Sequence, residues 1–142
     1  MNHVSVQRVF SAPRATVWAH LTDHVGWSRW AGLGAVTLEC EGKEHRDGTG
    51  AIRVIRNAGL QIREEVVSWA PESSMEYRVI SGIPLREHLG RVEFSEEGDG
   101  KTTRVTWSCQ YNTIAGFNAL SRVVVRGAFS GALKRLSKHL EA

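Results

Sequence analysis

Thr103-Arg104-Val105-Thr106-Trp107-Ser108-Cys109-Gln110-Tyr111, residues 103–111, decides the fold class together with the long segment that succeeds it. Thr103, Val105, Trp107, Cys109 and Tyr111 alternate with polar residues, the period of two expected of a half-buried strand. Directly after it, from about Ala115 to Leu140, the period becomes helical. Phe117, Leu120, Val124 and Ala128 share one face of that helix. Phe129, Ala132, Leu133, Leu136 and Leu140 share another, turned by about a third of a revolution. A strand with one apolar face must bury it, and the long helix is the element available to cover it.

The same alternation runs backwards along the chain. Arg86–Ser95 carries His88, Val92 and Phe94 on one face, before the turn at Glu97-Gly98-Asp99-Gly100. Met75, Tyr77 and Val79 alternate with Glu76 and Arg78. Ala51–Arg56 and Leu60–Trp69 are two further strands, and Val36, Leu38 and Cys40 mark another. At the start, His3–Phe10 reads as a strand with Val4, Val6 and Phe10 inward. Ser11-Ala12-Pro13 then opens a helix through Val17, Trp18 and Leu21, with proline pre-set for the first turn. Trp27-Ser28-Arg29-Trp30 gives a second short helix. The order is a strand, two short helices, about six antiparallel strands and a long helix, an α+β arrangement in one domain over residues 1–142. A sheet of this width twists and curls, so a single helix cannot touch all of its inner face. The space left between them is expected to be a cavity.

Composition removes several classes of function. The chain has 142 residues, 42% of them hydrophobic and 23% charged, enough to bury its own core. It has no run of about 18 apolar residues, hence no membrane span, and no signal-peptide pattern. With only Cys40 and Cys109 as thiols, both expected on inward faces, a reduced cytoplasmic protein is expected. The net charge of +3 suggests nucleic acid until it is located. Residues 115–142 hold five basic residues against Glu141, a net of +4; residues 1–114 hold 13 basic and 14 acidic residues, a net of −1. One basic outer helix face explains this, and no nucleic-acid module is present. Walker, dinucleotide-binding and G-x-S-x-G motifs are absent. His20 and His24 have the spacing of a zinc-binding helix but lack the intervening glutamate and a third ligand. No metal and no cofactor is expected.

The pieces in order resemble the START-like helix-grip superfamily (SRPBCC), in its polyketide cyclase/dehydrase-type members. They are Phe10-Ser11-Ala12-Pro13 with Val17-Trp18, the Trp27/Trp30 pair, Gly50-Ala51-Ile52-Arg53, and Arg63-Glu64-Glu65-Val66 leading to Pro71 and Tyr77. Thr103–Trp107, Leu133–Leu136 and Leu140-Glu141 complete the series. The resemblance spans the whole chain. It implies a helix-grip fold enclosing a hollow that holds an apolar small molecule. The family includes cyclases and lipid and hormone carriers, so fold alone does not choose among them.

The strand faces supply the candidate residues. If Ala58-Gly59 is a two-residue hairpin turn, Arg53 stands opposite Glu64 and Ile55 opposite Ile62. Ile55, Leu60, Ile62 and Val66 then make that face the inward one. The Arg53–Glu64 pair reads as a polar anchor for a ligand carbonyl or carboxylate, or as a structural salt bridge. His88, Tyr77 and Tyr111 also face inward, either to meet a ligand and act as acid and base or to serve as core residues. Trp107, with Phe117, Leu120 and Val124 of the last helix, completes the expected ligand-binding set. Three functions stay open. One is a carrier of a hydrophobic lipid, polyketide or aromatic-like molecule. Another is a polyketide cyclase, aromatase or dehydratase using His88, Glu64, Arg53 and Tyr111. The third is a protein-interaction domain, a homodimer among its forms, using the basic last helix.

Overall fold

The computed structural model describes residues 1–141. Seven strands form one antiparallel sheet: β1 (Asn2–Phe10), β2 (Ala35–Cys40), β3 (Ile52–Asn57), β4 (Leu60–Ala70), β5 (Ser74–Ser81), β6 (Arg86–Glu97) and β7 (Thr102–Asn112). Their order across the sheet is β1-β7-β6-β5-β4-β3-β2. The first and second strands therefore lie at opposite edges. The chain between them must cross the whole sheet, and it does so as α1 (Arg14–Leu21) and α2 (Trp27–Trp30). The long helix α3 (Asn118–Glu141) closes the chain and packs chiefly along β1, with contacts to α2. No described helix is long and apolar enough to cross a membrane.

The inner face of the sheet is built by the expected alternation. Thr103, Val105, Trp107, Cys109 and Tyr111 of β7 are all buried, as are His88, Val92 and Phe94 of β6 and Met75 and Tyr77 of β5. The chain between the two edges adds Val17, Trp18, Leu21, Trp27 and Trp30 to the same core. Each large side chain so buried contributes about 1.5–3 kcal/mol. The β3–β4 hairpin turns on Ala58 and Gly59, whose φ angles are +50° and +83°. Two positive φ values in a two-residue loop match the twist of the strands and set the register. Arg53 stands opposite Glu64, and Ile55 opposite Ile62.

Two expectations are corrected by this arrangement. Cys40 is exposed, whereas Cys109 is buried. A register shift between Leu38 and Cys40 places Cys40 opposite Ile52 rather than on the inward face of Arg53. A bulge of this kind turns the next side chain to the other side. The helix α3 also has one buried face rather than two. Phe129, Ala132, Leu133 and Leu136 are buried, and Ser121, Val125 and Ala128 continue that face at half-burial. Phe117 (51% exposed), Leu120 (58%) and Val124 (61%) lie off it. The start of the helix is tied to the sheet through Ser121, whose hydroxyl meets the Tyr111 hydroxyl at 2.7 Å, and through Arg122, which donates to Asn2. Those ties set the helix rotation that points positions 117 and 120 outward.

Candidate functional site

A cavity of about 400 Å³ lies between the sheet and the first half of α3. Its walls are mostly apolar: Trp27, Leu33, Ile55, Leu60, Ile62, Val79, Ile83, Leu85, Trp107, Val124, Val125, Ala128 and Phe129. Leu60 and Val124 are also exposed, which places the mouth between the β3–β4 turn and α3. Three polar side chains meet at the other end: Arg53 on β3, Glu64 on β4 and His88 on β6, with Tyr77 of β5 between them. The strand register assembles this end. Glu64 stands opposite both Arg53 and Val79, and the backbone N–H of Val79 donates to His88 Nδ1 at 3.1 Å.

Arg53 is the centre of this end and is only 1% exposed. Its Nε donates to Glu64 Oε1 at 2.8 Å. Its Nη2 lies 2.8 Å from the same oxygen but out of line for a hydrogen bond, and is otherwise sealed and unpartnered. The guanidinium is sandwiched between the rings of Trp27, 4.3 Å from its carbon, and Tyr77, at 4.6 Å. Such contacts add about 0.5–2 kcal/mol each when desolvated. Its Nη1 donates to His24 Nδ1 at 3.1 Å. Arginine can only donate, so that nitrogen carries no proton. The proton sits on His24 Nε2 and is donated to the Asp47 carbonyl at 2.9 Å. Burial first, then the charge of Arg53, hold His24 down at about 3, and it stays neutral. Asp47 also accepts from the His24 backbone N–H and from Arg46 at the surface. A continuous polar chain thus runs from Arg46 through Asp47, His24 and Arg53 to Glu64 in the cavity wall.

His88 accepts from Val79 through Nδ1, so its proton is on Nε2, for which the described residues offer no partner. Burial lowers its pKa, with the nearby Glu64 charge opposing, which favours the neutral ring. Tyr77 accepts from Trp107 Nε1 at 2.7 Å, and burial, then Glu64, raise its pKa well above the ordinary phenol. The Tyr77 ring lies flat against the backbone of Gly90, its cross-strand neighbour. A Cβ at position 90 would stand 2.3 Å from Tyr77 Cζ. Gly90→Ala is therefore expected to push the ring off Arg53, cost about 1–3 kcal/mol in urea unfolding, and weaken any ligand held at this end. An unchanged unfolding midpoint would show that the ring moves freely.

Of the residues expected from sequence, Arg53, Glu64, Tyr77, His88, Trp107 and Val124 line this cavity, whereas Tyr111, Phe117 and Leu120 do not. Tyr111 is fully buried, with its hydroxyl bonded to Ser121 under α3. Sequence reasoning missed His24 and Asp47, which are buried, and left Trp27 out of the ligand-binding set. The pairing of His24 with Arg53 spans 29 residues, and no local pattern announces it. His20 does not join His24; its Nδ1 faces the Thr16 carbonyl. Cys109 sits deep in the sheet, and burial, then Glu64, push its thiol up to about 12, which favours the neutral thiol over the thiolate.

A curved antiparallel sheet gripped by a long C-terminal helix around an apolar hollow defines the START-like class. The solved structures with this architecture include a START superfamily protein from Mycobacterium smegmatis, with TM-score 0.82 and 12% identity, covering 99% of this chain and 98% of that one. An uncharacterized protein from Bacillus thuringiensis has TM-score 0.82 and 18% identity over 99% of both chains. A Thermobifida fusca protein has TM-score 0.81 and 22% identity over 98% of this chain and 93% of that one. No curated protein matches the chain in sequence. The profile of the family described as polyketide cyclase / dehydrase and lipid transport matches residues 1–141, and the chain belongs to that family.

Proposed function

We propose that the protein holds an apolar small molecule of roughly polycyclic-aromatic size in this cavity, with its polar end at Glu64 and His88. The distribution of polarity in the cavity wall carries this reading. Apolar side chains surround most of the space; Arg53, Glu64 and His88 gather at the inner end, and Asn57, beside the β3–β4 turn, adds a polar group at the mouth. Binding sites for small organic molecules have this character: apolar walls for affinity and a few placed polar groups for orientation. Its size lies within the usual range for such sites.

Titration with an apolar fluorescent dye tests the reading, followed through Trp27 and Trp107. Saturable one-to-one binding is expected. Ala128→Trp, which fills the cavity from α3, is expected to weaken it by about tenfold or more while leaving the circular dichroism spectrum unchanged. Dye binding that is absent, or untouched by the substitution, would sink the proposal. A catalytic reading is favoured by one arrangement: a neutral His88 and the Glu64 carboxylate face the same space. General acid–base work on an enolisable ketone needs such a pair. Incubation with a poly-β-keto substrate separates the two. Recovery of the unchanged compound favours a carrier; a cyclised or dehydrated product favours an enzyme.

A further inference from the structure

We infer that the ligand presents an uncharged hydroxyl, phenolic or enolic, at its buried end, and that carboxylates such as fatty acids are rejected. This rests on the proposal that the cavity is a binding site. The polar groups differ in what they offer to the space. Arg53 has the positive charge, but its flat faces are covered by Trp27 and Tyr77. Its Nε and Nη1 are committed to Glu64 and His24, and its Nη2 is sealed. The positive charge is therefore spent within the protein.

Glu64 is different. Arg53 engages only its Oε1, and among the described residues no donor reaches Oε2. Neither the Glu64 carboxylate nor the His88 ring contains an atom that is both sealed and unpartnered, so Oε2 and His88 Nε2 are open to the cavity. Beside each other at the inner end, Glu64 Oε2 and His88 Nε2 thus present one anionic acceptor and one neutral donor. A hydroxyl satisfies both from a single oxygen, donating to Glu64 and accepting from His88. A carboxylate would set a second negative charge against Glu64 and leave Oε2 without a donor. An ammonium would leave the His88 N–H facing another donor and would add a second cation beside Arg53.

Four ligands on one skeleton test this: naphthalene, 2-naphthol, 2-naphthoate and 2-naphthylmethylammonium, titrated calorimetrically at pH 7.5. Naphthol is expected to bind most tightly, by about tenfold or more over naphthoate, because only it pairs both open groups. Glu64→Gln removes the repulsion and is expected to narrow or invert the naphthol–naphthoate ratio. Should that variant fail to fold, the wild-type ranking still decides. Naphthoate or the ammonium binding as well as naphthol, or naphthol gaining nothing over naphthalene, would overturn the inference while leaving the binding proposal intact. If none of the four binds, it is the binding proposal that fails.

Discussion

Arg53→Met is expected to lower the stability of this protein by about 3 kcal/mol, since breaking a buried ion pair from one side costs about 3–5 kcal/mol. The cause is the set of groups that Arg53 holds. Its loss leaves the Glu64 carboxylate against apolar walls, removes the donor to His24 Nδ1, and empties the space between Trp27 and Tyr77. The lower end of the range applies because the Glu64 side chain keeps 11% of its exposure and can be reached by water through the cavity. The double variant Arg53→Met/Glu64→Leu is expected to recover a substantial part of the loss, because replacing both charges by apolar groups leaves no ion unpaired. Urea unfolding of the single and double variants measures this. A single variant within about 1 kcal/mol of wild type would mean that the pair does not hold this end of the cavity together.

The second expected result concerns acid. His24 is held at about 3 in the folded protein, below its ordinary value of 6.5. The folded state is therefore neutral at His24 over that interval, while the unfolded chain takes up a proton. Stability from this group is fully present above about pH 6.5 and is lost as pH falls toward 3, with a limiting slope of about 1.4 kcal/mol per pH unit. His88 is shifted in the same direction by burial and adds to the loss. Unfolding free energies should change little between pH 7.5 and 6.5 and then fall at pH 5.5 and 5.0, approaching this slope. His24→Gln, less stable at pH 7.5, should show a visibly flatter dependence across the window. Equal slopes in the two proteins would place the acid sensitivity elsewhere.

The parts of the site legible in the sequence are those fixed by local pairing. Ala58-Gly59 is a two-residue turn, and a turn of that length leaves one register, so Arg53 has to meet Glu64. The period of two puts Tyr77, His88 and Trp107 on the inner face for the same reason. Expectation and structure part where one element's orientation depends on another. Leu120 and Val124 do share a side of α3, with Phe117 just before its first turn, yet the rotation of that side is set by Ser121 on Tyr111 and Arg122 on Asn2. Cys40 departs from the alternation because a bulge interrupts β2, and a single inserted residue reverses every face beyond it.

By itself the sequence determined the α+β order, the antiparallel register around the hairpin, and an apolar inner face that one helix could not fill. Alternation and turn length are local properties, written in neighbouring residues. The tertiary structure alone decided that Arg53 is closed off and Glu64 left open. That outcome depends on His24 and Trp27, carried across the whole sheet by the chain linking its two edges. Hydrogen bonding and stacking between residues so far apart have no periodic signature, and their geometry exists only once the sheet has curled beneath that crossing.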